Sequence, residues 1–108
     1  FYGSFYGDAR ISNNDGISLF PSITVSGGLD PWIYVFWEDY RDGNSEIYYS
    51  LLTGINDIVI NERRLTSLDG SSSNNPVAVS SNNDVFMTWY DNRDRNNEIY
   101  YKKGIASP

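Results

Sequence analysis

The sequence WEDYRDGNSEIYY, residues 37–49, returns 52 residues later as WYDNRDRNNEIYY, residues 89–101. Nine of the thirteen aligned positions are identical, and the alignment needs no gap. A fixed period of roughly 20–50 residues is typical of solenoids, propellers and other repeat architectures. This repeat therefore dominates the fold prediction.

The composition bounds the class of protein. The chain has 108 residues, enough for one ordinary domain, and 40% of them are hydrophobic. No apolar run approaches the ~20 residues of a membrane helix, so we expect no membrane insertion. The net charge of −6 argues against nucleic acid as a partner, because binding to phosphates depends on clustered Lys and Arg.

The chain contains neither cysteine nor histidine. The first absence excludes a disulfide framework, a thiolate nucleophile and the usual structural zinc site. The second removes the commonest general base and transition-metal ligand. We therefore predict no enzymatic activity, no catalytic residue, no cofactor and no metal. The Asn- and Ser-rich sequence suits an extracellular or cell-surface protein, although no signal peptide is visible.

Short strand signals recur in each repeat, separated by Asn, Asp, Ser and Gly clusters. The predicted strands are 22–26, 33–37, 46–52 and 55–63 in the first repeat, and 77–80, 85–90 and 98–102 in the second. Pro21 and Pro76 are expected to open the first strand of each repeat, where proline is tolerated. The runs 33–37 and 85–90 are apolar on both faces, apart from Thr88, and predict strands that are buried on both faces.

Labelled a to d, the predicted strands run d, a-b-c-d, a-b-c along the chain. Residues 1–12 are assigned to strand d because Arg10-Ile11-Ser12 aligns with Arg64-Leu65-Thr66. Residues 20–66 then form one blade, and residues 75–104 supply strands a to c of another. The sequence thus predicts an all-β fold of two four-stranded propeller blades, circularly permuted.

Two blades alone would expose two large apolar sheet faces. Propellers close with about four to eight blades, so we predict self-association into a homotrimeric, six-bladed ring. A tetramer of eight blades and an excerpt of a longer propeller are the alternatives. In the ring, residues 1–8 are expected to pair beside residues 98–103 of a neighbouring subunit.

A family resemblance rests on the repeated motif Trp-x-Asp-x-Arg-Asp-Gly-Asn-x-Glu-Ile-Tyr-Tyr. It resembles the blade signature of sialidase-like bacterial and archaeal surface β-propellers, and the plan of two blades per chain is similar to that of Aleuria-type fucose-binding lectins. The resemblance implies blade architecture for both repeats. It does not imply an activity, because such blades occur in enzymes, binding modules and spacers alike.

The polar turn between strands b and c is the main candidate for chemistry. Its residues are Asp39, Arg41, Asp42, Asn44 and Glu46, and again Asp91, Arg93, Asp94, Asn96 and Glu98. A structural role predicts that Asp bonds the turn backbone, that Arg pairs with Asp or Glu, and that Gly43 has a positive φ. Since Arg95 replaces Gly43 in the second turn, Asn96 is expected to be the left-handed residue there. A Ca²⁺ site and a sugar site are the alternatives.

The predicted ligand-binding residues are Arg41, Glu46, Arg93 and Glu98, with Trp32 marking a rival site on the opposite face. Aromatic rings near Arg and Glu offer sugars a stacking surface and charge-assisted hydrogen bonds. The expected function is that of a multivalent, lectin-like carbohydrate-binding module with glycans as partners. A structural or interaction propeller, and an excerpt of a sialidase-like glycosidase, are the alternatives.

Overall fold

The computed structural model describes residues 3–4, 8, 10–13, 16–26, 32–53, 57–67 and 73–105. The strands in these ranges are β1 (Ser18–Val25), β2 (Trp32–Asp39), β3 (Glu46–Thr53), β4 (Asp57–Arg64), β5 (Ser73–Ser81), β6 (Asp84–Asp91) and β7 (Glu98–Ile105). They form two antiparallel sheets, the first in the order β1-β2-β3-β4 and the second in the order β5-β6-β7. The all-β prediction and the division into four and three strands are confirmed.

The sequence repeat is also a repeat in strand register. Trp37 pairs with Tyr48 across β2 and β3. One repeat later, Trp89 pairs with Tyr100 across β6 and β7. Since a one-residue slip would move every side chain to the other face of the sheet, the equal registers place equivalent residues on equivalent faces.

The two strand-a prolines lie inside their strands rather than at the start. Pro21 follows the first three residues of β1, and Pro76 follows the first three of β5. Each ladder shifts register at the proline, and the preceding residue has a positive φ, 52° at Phe20 and 59° at Asn75. A bulge tolerates proline because the ladder there does not need the missing N–H.

One face of the first sheet packs against one face of the second. The shared core consists of Tyr34, Phe36, Ile47, Leu51, Val85, Met87 and Trp89. In β2 the prediction of two buried faces holds in part, because Trp37 and Asp39 on the other face are buried whereas Ile33 and Val35 are half-buried. In β6 the buried residues alternate, and Thr88 is exposed. The prediction of two buried faces is wrong for β6 in the single chain, because no described element covers its outer face.

Polar contacts fix the two sheets relative to each other. The Glu38 carboxylate is 2% exposed and accepts hydrogen bonds from the Asn75 backbone N–H at 2.9 Å and from the Asn74 side chain at 3.3 Å. The backbone N–H of Ser73 donates to the Ser45 carbonyl at 2.7 Å, and the Ser45 hydroxyl donates to the Ser73 carbonyl at 2.7 Å. Because hydrogen bonds are directional, they fix the relative orientation of the two sheets, which apolar packing alone does not do.

The predicted strand over residues 1–12 lies largely outside the described residues. Of that segment the structure describes Gly3, Ser4, Asp8 and residues 10–12, and none of these is in a strand. The first a–b connection, residues 27–31, lies outside the described residues as well.

Both b–c turns have their left-handed residue at the same position. Gly43 has a φ of 93° and Arg95 a φ of 80°, so the expectation that Asn96 takes this conformation is wrong. The turn hydrogen bonds are equivalent, from Gly43 N–H to the Tyr40 carbonyl and from Arg95 N–H to the Asn92 carbonyl. The geometry of the turn therefore selects the position, whichever residue occupies it.

A non-glycine residue in the left-handed conformation destabilises the folded state by about 1–2 kcal/mol, and glycine avoids this strain. Glycine also has more conformational freedom in the unfolded chain, which offsets part of the gain. Arg95→Gly should therefore stabilise the fold by roughly 0.5–1 kcal/mol. Gly43→Arg is the matched control and should destabilise it by a similar amount. A Cβ at Gly43 meets no atom within 4 Å, so the control reports backbone strain without a clash. Urea unfolding at one protein concentration measures the free energy of unfolding of both variants. If both variants changed it in the same direction, the assignment of a strained left-handed Arg95 would be wrong.

Candidate functional site

The first b–c turn is organised by the buried carboxylate of Asp39, which is 0% exposed. It accepts hydrogen bonds from the Trp37 indole at 2.8 Å and from the Ser18 hydroxyl at 3.0 Å. Arg41 donates to it through its backbone N–H at 3.0 Å, its Nε at 2.9 Å and its Nη2 at 2.9 Å. The carboxylate is thus surrounded by donors, as a buried charge requires.

The second turn repeats this arrangement around Asp91, which is also fully buried. The Trp89 indole donates to it at 2.9 Å, and Arg93 donates through its backbone N–H, Nε and Nη2 at 3.2, 3.0 and 2.7 Å. Among the described residues, Asp91 has no counterpart of the Ser18 hydrogen bond. The predicted pairing of Arg with Asp in both turns is therefore present, with one donor fewer in the second.

Each arginine of the turn also lies over a tyrosine ring. The Arg41 guanidinium is 4.1 Å from the ring centroid of Tyr48, which stacks on Trp37 at 6.4 Å. Arg93 lies 3.8 Å above Tyr100 in the same way. A guanidinium over an aromatic face is attracted by the ring quadrupole. The Trp, Tyr and Arg side chains of each turn thus form one stack that is oriented by the buried aspartate.

The tyrosine hydroxyls close the other side of each turn. Tyr48 Oη donates to Asp42 Oδ2 at 2.5 Å, and Tyr100 Oη donates to Asp94. Burial and the adjacent Asp42 carboxylate raise the pKa of Tyr48 to about 12. The hydrogen bond to Asp94 raises the pKa of Tyr100 to about 12. Both hydroxyls therefore stay protonated donors at neutral pH.

The pKa of Asp39 is held below its usual value. Burial acts to raise this pKa, but the hydrogen bonds from Arg41 and Trp37 outweigh burial and lower it. The pKa of Asp91 is lowered by the same balance, with Arg93 and Trp89 as donors. Both aspartates are therefore charged at neutral pH, and neither is poised as a proton donor or acceptor.

In the first sheet, β4 supplies further partners to the turn. Arg41 Nη2 pairs with Glu62 Oε1 at 2.7 Å. Glu46 is 0% exposed and accepts from Arg64 Nη2 at 3.1 Å, from the Asn44 side chain at 3.0 Å and from the Thr66 hydroxyl. Glu46 is therefore an internal ion-pair partner in this chain, where its environment offers a ligand no open oxygen.

The second turn has no such covering strand among the described residues. Glu98 is exposed and forms no ion pair with any residue that the structure describes. Arg93 has a side chain that is 34% exposed, compared with 23% for Arg41. The two turns share a sequence but differ in what surrounds them.

The structure does not bring Trp32 together with the other predicted site residues. Trp32 is the first residue of β2, and Asp39 is the last, so they lie at opposite ends of the strand. Trp32 is half-buried, packs against the core cluster and donates its backbone N–H to the Ser26 hydroxyl at 2.8 Å. Its indole is partly used in packing.

Sequence reasoning missed three charged residues of the site. Glu62 and Arg64 hold the first turn from β4, and Glu38 joins the two sheets. Glu62 and Arg64 alternate along the strand, which is the spacing for one face of a sheet, so this signal could have identified them. Glu38 has Tyr90 as its counterpart in the repeat, and its role depends on tertiary packing.

The oxygen ligands of the Ca²⁺ alternative are used by protein donors. Among the residues that the structure describes, no group of three or more Asp, Glu, His or Cys side chains could hold a metal ion. The buried carboxylates of Asp39 and Asp91 face Arg and Trp nitrogens. The arrangement acts as a structural clamp on the hairpin.

A cleft of about 170 Å³ lies between the two sheets, away from the clamps. Aromatic and aliphatic side chains from both sheets line it, including Tyr34, Phe36, Tyr49 and Met87, and Lys102 lies at its edge. Sequence analysis did not identify this cleft, because its walls come from strands of different repeats.

Comparison with protein-family models, with curated proteins and with solved structures found no match to this chain. The resemblance to sialidase-like propellers therefore stays a prediction. Within the described ranges no helix is long and apolar enough to span a membrane.

Removing the central carboxylate should destabilise the fold, because the buried donors of Trp37 and Arg41 would lose their acceptor. Asp39→Ala should lower the free energy of unfolding by roughly 1–3 kcal/mol. Asp91→Ala is the matched variant and should cost less, because Asp91 lacks the Ser18 hydrogen bond and the more exposed Arg93 regains water. Urea unfolding gives the order, and a larger loss for Asp91→Ala would contradict it.

The lowered aspartate pKa values predict loss of stability in acid. A carboxylate whose folded-state pKa lies below its unfolded value of about 3.9 stabilises the fold above that pH, and this contribution disappears as the pH falls through the lowered value. Unfolding free energy should therefore decrease from about pH 5 downward. Asp39→Asn should show a shallower decrease than the wild type, and an unchanged slope would contradict the role of Asp39.

Proposed function

We propose that the chain is a subunit of a six-bladed, homotrimeric β-propeller that acts as a non-catalytic, multivalent, lectin-like carbohydrate-binding module. The observation that supports the assembly in this proposal is an exposed apolar face on the second sheet. Val77, Val79, Ile99 and Tyr101 share that face through their cross-strand partners, and each is more than 60% exposed. A contiguous patch of this kind marks an interaction surface.

The equivalent face of the first sheet indicates what would cover this patch. Ile47 and Tyr49 are the counterparts of Ile99 and Tyr101 one repeat earlier. Ile47 is 0% exposed and Tyr49 packs on the core cluster, because the second sheet lies against them. By the same geometry, a further blade would bury the exposed face. Contacts that join unlike faces, head to tail, generate rings when the rotation closes.

The cleft between the sheets supports a binding role for the assembly. The rings of Tyr34, Phe36 and Tyr49 provide stacking surface, and Lys102 provides a charged donor at the edge. Sugars are recognised by this combination of aromatic stacking and charge-assisted hydrogen bonding. A ring would repeat the cleft at its sheet–sheet junctions, so weak single sites would add up through avidity.

The clamps favour a second candidate function, that of a structural or interaction propeller without a small ligand. Glu46 is committed to Arg64, and Arg41 is committed to Asp39 and Glu62. Of the predicted ligand-binding residues, Glu98 and Arg93 present the most exposed charged groups. The two functions differ in whether the assembled ring binds glycans at all.

The test combines solution mass with glycan binding. Sedimentation should give one discrete species of three times the 12.3 kDa chain mass, and a glycan array should give binding to that species. Lys102→Ala should weaken the binding, whereas Arg63→Ala, an exposed change on β4, should leave it intact. A monomer would overturn the ring, and a trimer without glycan binding would favour the structural function. Loss of binding with Trp32→Ala but not with Lys102→Ala would move the site from the cleft to Trp32 at the start of β2.

A further inference from the structure

We infer that Asp8 and Arg10 of one copy bind the second sheet of a neighbouring copy through two specific ion pairs. Asp8 of one copy pairs with Arg93 of its neighbour. Arg10 of the same copy pairs with Glu98 of that neighbour. This inference rests on the proposed ring and names the contact that joins its subunits.

The first argument is local geometry. Arg10 Nε donates to the Ser12 carbonyl at 2.8 Å. Arg64 Nε donates to the Thr66 carbonyl at 2.7 Å. The two segments have matching residue types and the same hydrogen bond, although only the second follows a strand of the described structure. Residues 10–12 therefore have the local form of a strand-d end.

The second argument is the position of residues 10–12 on the first sheet. Ile11 and Ser12 line a cavity with Trp37. Leu65 and Thr66 line a cavity with Trp89, the counterpart of Trp37. Ile11 and Ser12 thus lie on the first sheet as Leu65 and Thr66 lie on the second. They occupy the place that belongs to the end of a preceding blade.

The contacts at the end of β4 show how a strand end is held at this position. Arg64 Nη2 pairs with Glu46 at 3.1 Å, and Arg64 Nη1 lies 3.6 Å from Asp42. The Thr66 hydroxyl donates to Glu46 and accepts the Ile47 backbone N–H at 2.8 Å. The end of β4 is thus fastened to the turn and to the start of β3.

At the same turn, Glu62 pairs with Arg41 at 2.7 Å. Glu62 and Arg64 are two residues apart, and Asp8 and Arg10 reproduce their charges and spacing. In the second repeat, the residues equivalent to Arg41 and Glu46 are Arg93 and Glu98. The chain therefore contains both Asp8 and Arg10 and their expected partners Arg93 and Glu98, but the described structure does not bring them into contact.

The second sheet of the same 108 residues is excluded as the partner for a geometric reason, and we assign this role to another copy. Residues 10–12 lie on the Trp37 face of the first sheet, whereas the second sheet packs on the opposite face, through Phe36. The second sheet of the same chain is therefore on the wrong side to receive them. No described strand pairs with the outer edge of β7, so this edge is available to a neighbouring copy.

The environment of Glu98 explains why these two ion pairs would select one register of association over others. Glu98 is exposed in the single chain, whereas its counterpart Glu46 is fully buried once β4 covers it. Addition of the strand would bury Glu98 in the same way. A carboxylate buried at an interface requires its cation, so a wrong charge there is strongly unfavourable. The joint would thus be specific for the correct register.

The experiment is a charge exchange measured by sedimentation of the 108-residue chain over a range of concentrations. Arg10→Glu alone and Glu98→Arg alone should each raise the dissociation concentration of the oligomer by about tenfold or more. The double variant should restore association to near the wild-type value, since the pair is re-formed with reversed signs. Arg63→Glu changes the net charge as Arg10→Glu does, on an exposed position of β4, and should leave association unchanged.

The outcomes separate this inference from the ring itself. A monomeric wild type would overturn the ring and the inference with it. A wild-type oligomer that tolerates both single changes, or that the double change fails to restore, would overturn the inference and leave the ring standing. If a single variant loses its far-UV circular dichroism, the double variant decides, because its folding and its mass must then recover together.

Discussion

The buried carboxylate of Asp39 is the interaction on which the first sheet depends. It holds the indole of Trp37 on its own strand, the hydroxyl of Ser18 on β1 and the guanidinium of Arg41 in the turn. Through Arg41 it also reaches Glu62 on β4. One charge thereby connects elements from three strands and the turn. Its burial is tolerable because donors on all sides replace the lost water, and such a network specifies one arrangement of the hairpin.

The same device in the second sheet shows how context, rather than sequence, sets the environment of a residue. Asp91 and Arg93 reproduce the clamp closely. Glu98, however, is exposed where its counterpart Glu46 is completely buried. The difference follows from β4, which covers the start of β3 and has no described equivalent beside β7. The same residue type is therefore buried or exposed according to whether a strand lies beside it.

The strand order and the hairpin registers could be predicted from the sequence because they depend on local patterns. Turn residues and alternating apolar positions repeat with the same offset, and register follows from both. The bulges at Pro21 and Pro76 could not be predicted, since a proline at a strand start and one at a bulge look alike in sequence. The left-handed Arg95 was missed because propensity favours Asn96, whereas the hydrogen-bonded geometry of the turn selects the position.

For the candidate site, the residue types could be predicted from the sequence, but whether their side chains are open to a ligand could not. Glu46 looks like an open ligand-binding carboxylate in sequence, and only the fold shows that Arg64 and Thr66 enclose it. Polar residues of a repeat are recognised by their recurrence, which is equally strong for a binding residue and for a buried clamp. Burial of a charge depends on strands that are distant in sequence, such as β4 over β3.

The relation between the two sheets also restricts the kinds of assembly that could hide the apolar patch. The junction inside the chain joins one face of a sheet to the opposite face of its neighbour, so it joins unlike surfaces. A two-fold dimer pairs a surface with itself and would place Ile99 and Tyr101 against their own copies. A head-to-tail contact would join unlike surfaces, as the observed junction does, with Tyr90 in the place of Glu38. Such contacts generate a closed ring or an open filament, depending on the rotation between successive copies.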